Sequence, residues 1–365
     1  MEDCLYWFEK HPKKALVLFA LALFVVIDLM VGSVYKRATK GELAYRRDSK
    51  FHHVLRENFQ GEQKWGEDSF TLYTNDLGFK DSKVRKVPKK SAERIGLLGD
   101  SFIEGPGLPY DQTAAGVMEG RGINVLSLGT SSHSPKLYYA RVKDLIEKGY
   151  EFHEIFVFID VSDILDEVRY ASFEPGDDDD WYTSLARVNA WLLHHSLIYS
   201  ELLYEPIKAK LFPKILSEQQ EDSTQNEEAT PFVYEYYSQR GAWLYDKEIY
   251  DTWGATGMQS AQHNVEQMRD LFSEYGIKMT LVIYPWNDNL HLLEEESLQQ
   301  ILWKEFAQKN NVPLIDLFEK TALYEGDPQE LFLDGDIHWS HAGSDFVVNH
   351  LLPLTHEPGA DQEPL

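Results

Sequence analysis

The sequence predicts an α/β domain built on a doubly wound parallel sheet, carried behind one membrane-length apolar helix. Three observations predict it. Short apolar runs at 95–98, 125–128, 155–159, 279–284 and 313–315 are continuous rather than alternating, as strands covered on both faces require. Amphipathic stretches lie between them, which is the alternation that builds a parallel sheet with helices on either side. Residues 15–35, ALVLFALALFVVIDLMVGSVY, hold a single charge, Asp28, and roughly 20 apolar residues suffice to span a bilayer.

In chain order, residues 1–14 form an N-terminal tail and 15–35 a transmembrane signal anchor. A cleaved signal peptide would use only 15–27, with small residues at Gly32 and Ser33 for processing; the anchor accounts for the full length. Residues 36–90 are polar with aromatic islands and read as a juxtamembrane connector that packs on the main domain. The α/β domain follows over 91–352. Its helix at 136–148 ends at Gly149, a favoured C-cap, and in 256–275 apolar residues recur at steps of three and four. A closing helix lies at 341–352, before an acidic tail at 353–365.

Residues 170–252 interrupt the alternation and read as an insertion, with a helix over 181–205 and a polar loop near 217–230. The acidic run Asp177–Asp180 lacks the glycine and ligand spacing of a calcium loop and reads as a solvated loop.

Composition narrows the function. Of 365 residues, 43% are hydrophobic, enough for a large core, and the net charge of -25 argues against a nucleic-acid partner. Cys4 is the only cysteine, which excludes disulfides and a cysteine nucleophile in the folded body. No cofactor is indicated, because Gly105-Pro-Gly107 has proline where a phosphate cradle needs N–H groups, and no metal-ligand spacing stands out. His52-His53 read as connector packing or a rim of the site, His133 as a loop residue, and His194-His195 as core or interface.

The chemistry gathers at two motifs. Ser101 follows the first predicted strand directly, in Gly99-Asp100-Ser101, and ligands of parallel sheets bind at the carboxyl ends of strands. A serine nucleophile needs a base, and the base an orienting acid. Asp336-Ile-His338 supplies both at the far end of the domain, with Asp334 as a second acid within reach.

These residues give the chain a resemblance to the SGNH (GDSL-type) hydrolases. Gly99-Asp-Ser-Phe102 matches the first motif, with its nucleophile, and Asn124-Val-Leu-Ser-Leu-Gly129 is similar to the second. Phe158-Ile-Asp-Val-Ser-Asp163 stands in the place of the third motif and Asp336-Ile-His338 in that of the last. The resemblance implies a flavodoxin-like three-layer α/β/α fold, a Ser101–His338–Asp336 triad, and an oxyanion hole from the Ser101 and Gly129 amides. Ser162 replaces the usual asparagine of the third motif, so its hydroxyl would be the remaining oxyanion donor. Asp-x-His also departs from the commoner Asp-x-x-His.

Asn75-Asp-Leu-Gly-Phe79, Tyr284-Pro-Trp286 and the Asp-x-His-Trp ending resemble a membrane-anchored bacterial subgroup tied to surface-polysaccharide acylation, similar to alginate O-acetylation proteins. That likeness implies a serine-dependent ester hydrolase or O-acetyltransferase acting on an acylated glycan, with a multi-pass membrane acyltransferase as partner. Two other readings are a non-catalytic binding module in a glycan-assembly complex and a membrane-tethered lipase or thioesterase. Lysines and arginines flank the apolar segment on both sides, so charge leaves the orientation open. The implied function puts the body outside the cytoplasm, on the periplasmic side of the inner membrane.

Overall fold

The computed structural model describes residues 10–66, 68–174, 176, 181–204 and 240–355. The acidic run at 177–180, the polar loop at 217–230 and most of both tails lie outside the described residues.

The chain opens with α1 (Pro12–Lys40), begun by a proline in its first turn and ended by Gly41 at φ +77°. It is long and apolar enough to cross a membrane, and its apolar side chains from Leu16 to Val34 face outward. Antiparallel strands follow: β1 (Tyr45–Asp48) pairs with β2 (His52–Leu55), and β3 (Gln60–Trp65), β4 (Asp68–Thr74) and β5 (Lys80–Asp81) form a three-stranded sheet. The expected connector therefore contributes five short strands.

The main sheet contains β6 (Ile95–Gly99), β7 (Val125–Gly129), β8 (Glu154–Ile159), β9 (Lys278–Ile283) and β10 (Leu314–Asp316). All pairings are parallel and the order is β10-β9-β8-β6-β7. Each predicted run falls within one residue of its strand. Every residue of β6, β7 and β8 is buried, which explains why they are apolar apart from Ser127 and Glu154. At about 1.5–3 kcal/mol for each fully buried large apolar side chain, these strands anchor the core.

Around the sheet lie α2 (Ser101–Glu104), α3 (Ala114–Gly120), α4 (Pro135–Glu147), α5 (Asp163–Arg169), α6 (Trp181–His195), α7 (Ala255–Tyr275), α8 (Leu298–Asn310), α9 (Leu317–Ala322) and α10 (His341–Thr355). Helix α3 packs with α10, and α4 with α7, giving helix, sheet and helix layers. The order reverses at β6, where β7 lies to one side and β8 to the other. That switch point opens a crevice at the carboxyl ends of the strands.

Within residues 170–252 the described helices differ from the one expected. The single helix expected over 181–205 stops at His195, and a wider-wound helix runs over Ile198–Tyr204. The break has a physical cause: Ser196 Oγ and the amides of Leu197 and Ile198 all donate to the Asp28 carboxylate of α1.

Candidate active site

β6 ends at Gly99, where a Cβ would lie 2.6 Å from Ile103 Cγ1 and 3.1 Å from Phe158 Cβ. Asp100 then caps the short helix α2, accepting from the Phe102 amide at 3.0 Å. This cap lifts Ser101 to the rim of the sheet. Burial, and then the nearby Asp160, push the Asp100 carboxyl well above its ordinary range.

Ser101 Oγ lies 2.9 Å from His338 Nε2, although 237 residues separate the two. On the other side of the ring, His338 Nδ1 donates to Asp336 Oδ1 at 2.5 Å, which leaves Nε2 to accept the serine proton. The same oxygen accepts the His338 amide at 2.9 Å. Asp100 Oδ2, at 3.2 Å, is a second acceptor for the Ser101 hydroxyl.

A spacing of only two residues works because Gly335, at φ +64°, turns the chain sharply. Leu333 N then bonds to His338 O at 2.8 Å, and Phe332 bridges Trp339. Asp336 and His338 project from the same side of this turn, whereas Asp334 is exposed and makes no hydrogen bond to the imidazole. Burial raises the Asp336 carboxyl, but the hydrogen bond and charge of His338 outweigh it, and the carboxyl ends below its ordinary value.

Trp65 was not legible as a site residue. From the end of β3, its Nε1 donates to Asp336 Oδ2 at 3.1 Å, and its ring meets the His338 ring edge-on at 5.6 Å. Phe102 packs on the same imidazole at 5.1 Å. Asn287 adds a further tie, donating to the Asp336 carbonyl at 2.8 Å.

The other two named residues are arranged differently. Ser162 lines the same cavity as Ser101, but its Oγ donates to Asp160 Oδ1 at 2.5 Å. Asp160 is fully engaged, accepting also from the Ser162 amide at 2.7 Å and from Trp286 Nε1 at 2.7 Å. Gly129 pairs with Gly99 at the end of β7 and lies hard against α2, where a Cβ would fall 2.2 Å from Glu104 N. At that level the cavity wall is made by Ser131 and Ser132.

The cavity beside Ser101 holds about 390 Å³. One wall comes from the N-terminal strands, through Tyr45, His53, Trp65, Phe70 and Lys80. Tyr45 donates to Glu104, which also accepts the Ser131 amide at 2.8 Å. The Lys80 amine is buried and donates to the carbonyls of Gly105 at 2.6 Å and Leu108 at 2.5 Å, pinning the loop after α2. Burial pushes its pKa down to about 7.

His53 and His133 are interlocked: His53 Nε2 bonds to Ser131 O at 2.7 Å, and His133 Nε2 to His53 O at 2.8 Å. Burial holds both imidazoles neutral, His53 at about 4. They brace the Ser131 wall. Among the described residues no group of three His, Cys, Asp or Glu side chains is gathered as a metal site.

No family model matches the sequence, and no curated protein matches it. Among solved structures, the chain is similar to a lipase/acylhydrolase from Enterococcus faecalis, at 14% identity and TM-score 0.36, covering 72% of this chain and 94% of that one. It is similar to a GDSL-like lipase from Bacteroides thetaiotaomicron at 9% identity and TM-score 0.37, covering 74% and 91%. A psychrotrophic esterase from Pseudoalteromonas, inhibited by monoethylphosphonate, gives 10% identity and TM-score 0.38, covering 72% and 95%. At this level of likeness, the chemistry of the site rests on its own residues.

Proposed function

We propose that this chain is a membrane-anchored serine ester hydrolase or O-acyl (acetyl) transferase of the SGNH type, acting on an acylated exported or cell-surface glycan. The observation that carries the reading is the continuous relay from Ser101 Oγ through His338 to Asp336, opening on a cavity at the switch point of a parallel sheet.

In the first half-reaction, Ser101 Oγ attacks the ester carbonyl while His338 Nε2 takes its proton. Asp336 offsets the charge on the imidazolium. The tetrahedral adduct collapses, the alkoxide leaves with the proton from His338, and the acyl group stays on Ser101. In the second, His338 deprotonates water or a sugar hydroxyl, which attacks the acyl-serine and restores the serine. Water gives an esterase and a sugar gives a transferase.

The oxyanion would be met by the amides of Ser101 and Gly129 and by Ser162. For Ser162 to donate, its hydroxyl must turn away from the Asp160 carboxylate, giving up about 1.5–3 kcal/mol. One oxyanion donor contributes roughly 3–4 kcal/mol, so the net gain from Ser162 is small.

A glycan substrate is supported by the half-open rim, where the exposed Trp65 ring and polar Gln63 and Lys64 flank the nucleophile. An uncleaved anchor is supported by Asp28, Gly32 and Lys36, which are engaged by residues 195–201 of the folded body. The body lies on the periplasmic side of the inner membrane in this reading, with a multi-pass acyltransferase as donor partner.

A fluorophosphonate probe tests the nucleophile: the full chain should be labelled and Ser101→Ala should not. Equal labelling of the two would sink the assignment, and no labelling of either would favour a binding module. A chain-length series of model esters separates the substrates, with acetate release preferred over longer acids unless the protein is a lipase.

A further inference from the structure

Helix α6 and the Ile198–Tyr204 helix form a hairpin alongside α1. Arg187, midway down α6, donates to the carbonyl of Arg47 in β1, at the level of the folded body. Eight residues on, the His195 carbonyl lies so close to Gly32 that a Cβ there would be 2.2 Å away. The tip meets Asp28, which accepts Ser196 Oγ at 2.5 Å and the amides of Leu197 at 3.1 Å and Ile198 at 3.0 Å. The chain then returns upward, where Glu201 pairs with the buried Lys36 amine at 2.7 Å.

Asp28 precedes Lys36 by eight residues, so at 1.5 Å per residue the tip sits about 12 Å deeper along α1 than Lys36. An ionisable group at that depth of a bilayer is costly unless its hydrogen bonds are met by protein. The hairpin supplies three donors to it. The outer face of the hairpin is apolar: Leu185, Val188 and Trp191 recur at steps of three on α6, and Leu202 and Leu203 follow on the return limb, all 43–68% exposed. Counting about 1.5 Å per residue from His195 at Gly32, Trp191 stands near the upper end of the exposed apolar surface of α1 at Val34 and Tyr35, with Leu202 and Leu203 just past the tip, whereas Leu185 and Val188 stand higher, beside the folded body.

We infer that residues 191–204, the lower half of this hairpin, are a second membrane-embedded element that dips into the leaflet beside α1 and is covered by lipid. This rests on the reading of α1 as a membrane anchor. The occupant is a bilayer rather than a protein, because Trp191, Leu202 and Leu203 adjoin the exposed apolar surface of α1 and the tip between them answers the one charge within the span.

Site-directed spin labelling of the full chain in phosphatidylcholine/phosphatidylglycerol nanodiscs tests this. In a Cys4→Ser background, nitroxides are placed through Trp191→Cys, Leu202→Cys and Leu203→Cys. Leu21→Cys on α1 and Leu323→Cys on the 77%-exposed far surface serve as references. The three hairpin labels should collide with oxygen in preference to a nickel chelate, as Leu21 does, with a ratio several-fold above that at Leu323. Where one of the three variants fails to fold, the other two carry the test.

Hairpin labels that match Leu323 while Leu21 remains lipid-like would overturn the hairpin and leave the anchor standing. Labels immobilised and shielded from both reagents would overturn it in favour of a covering protein chain. A Leu21 label that itself matches Leu323 would overturn the anchor, and the hairpin with it.

Discussion

The carboxylate of Asp336 offers a test in which two substitutions should do less damage together than their separate effects imply. Its Oδ1 accepts the amide and Nδ1 of His338, and its Oδ2 accepts Trp65 Nε1. All three neighbours are N–H donors, so an asparagine, with a single accepting oxygen, cannot satisfy both sides. With its oxygen toward His338, its NH₂ faces the Trp65 N–H; with the amide reversed, it opposes the imidazole. Asp336→Asn should therefore slow ester hydrolysis by roughly 10⁴-fold, as loss of the orienting acid does in serine triads.

Trp65→Phe alone removes one hydrogen bond to a charged group. With the indole 36% exposed, about 1 kcal/mol is the appropriate magnitude, or a roughly five-fold slower reaction. In the double variant the opposing donor is gone and the asparagine oxygen is free to hold His338 in the productive tautomer. Independent effects would make the double variant about five-fold slower than Asp336→Asn; the geometry instead predicts a rate equal to it or up to about five-fold faster. The assay is kcat/KM for p-nitrophenyl acetate with the full chain in detergent micelles. Simple additivity would refute the shared role of the two residues.

Three further outcomes follow from the same geometry. Gly129→Ala places a methyl against the Glu104 backbone and should destabilise the fold by about 3 kcal/mol in urea unfolding; a change under about 0.5 kcal/mol would contradict the packing. Ser162→Ala should lower kcat only about five-fold, because its hydroxyl proton is already committed to Asp160, and a loss near 10³-fold would make it a full oxyanion donor. Lys80 has a folded-state pKa of about 7 against an ordinary value of 10.5, so the unfolded chain binds the extra proton between those values. Stability should therefore rise by about 1 kcal/mol per pH unit from about pH 7 to 9, and Lys80→Met should flatten that rise; equal slopes would place the amine in solvent.

The parallel sheet was legible because its strands are buried on both faces, so each appears as a mainly apolar run with breakers at its ends, interrupted only at Ser127 and Thr280. The meeting of Ser101 with His338 was legible for a related reason: side chains just past a strand or just before a helix gather at the rim of such a sheet. Trp65 was not, since its place depends on the antiparallel register of β3 with β4 and on how that sheet docks, and neither is encoded locally. The commitment of Ser162 to Asp160 was equally hidden, because Oγ and carboxylate meet across a turn whose geometry the spacing does not specify. The break at Ser196 required knowing that Asp28, 168 residues earlier, lies beside it.

The three-stranded sheet has a mechanical consequence. Lys64 Nζ donates to the Ala38 carbonyl near the end of α1, and the next residue, Trp65, holds the Asp336 carboxylate. In the proposed reading of α1 as an anchor, its link to Asp336 is therefore a strut one strand wide, in contrast to a flexible leash. A leash would let the domain search a hemisphere of solution, whereas a strut fixes the mouth of the cavity at one height and one tilt. In the proposed reading, an ester carried past that height is presented to Ser101, and the same domain freed into bulk solution loses that presentation.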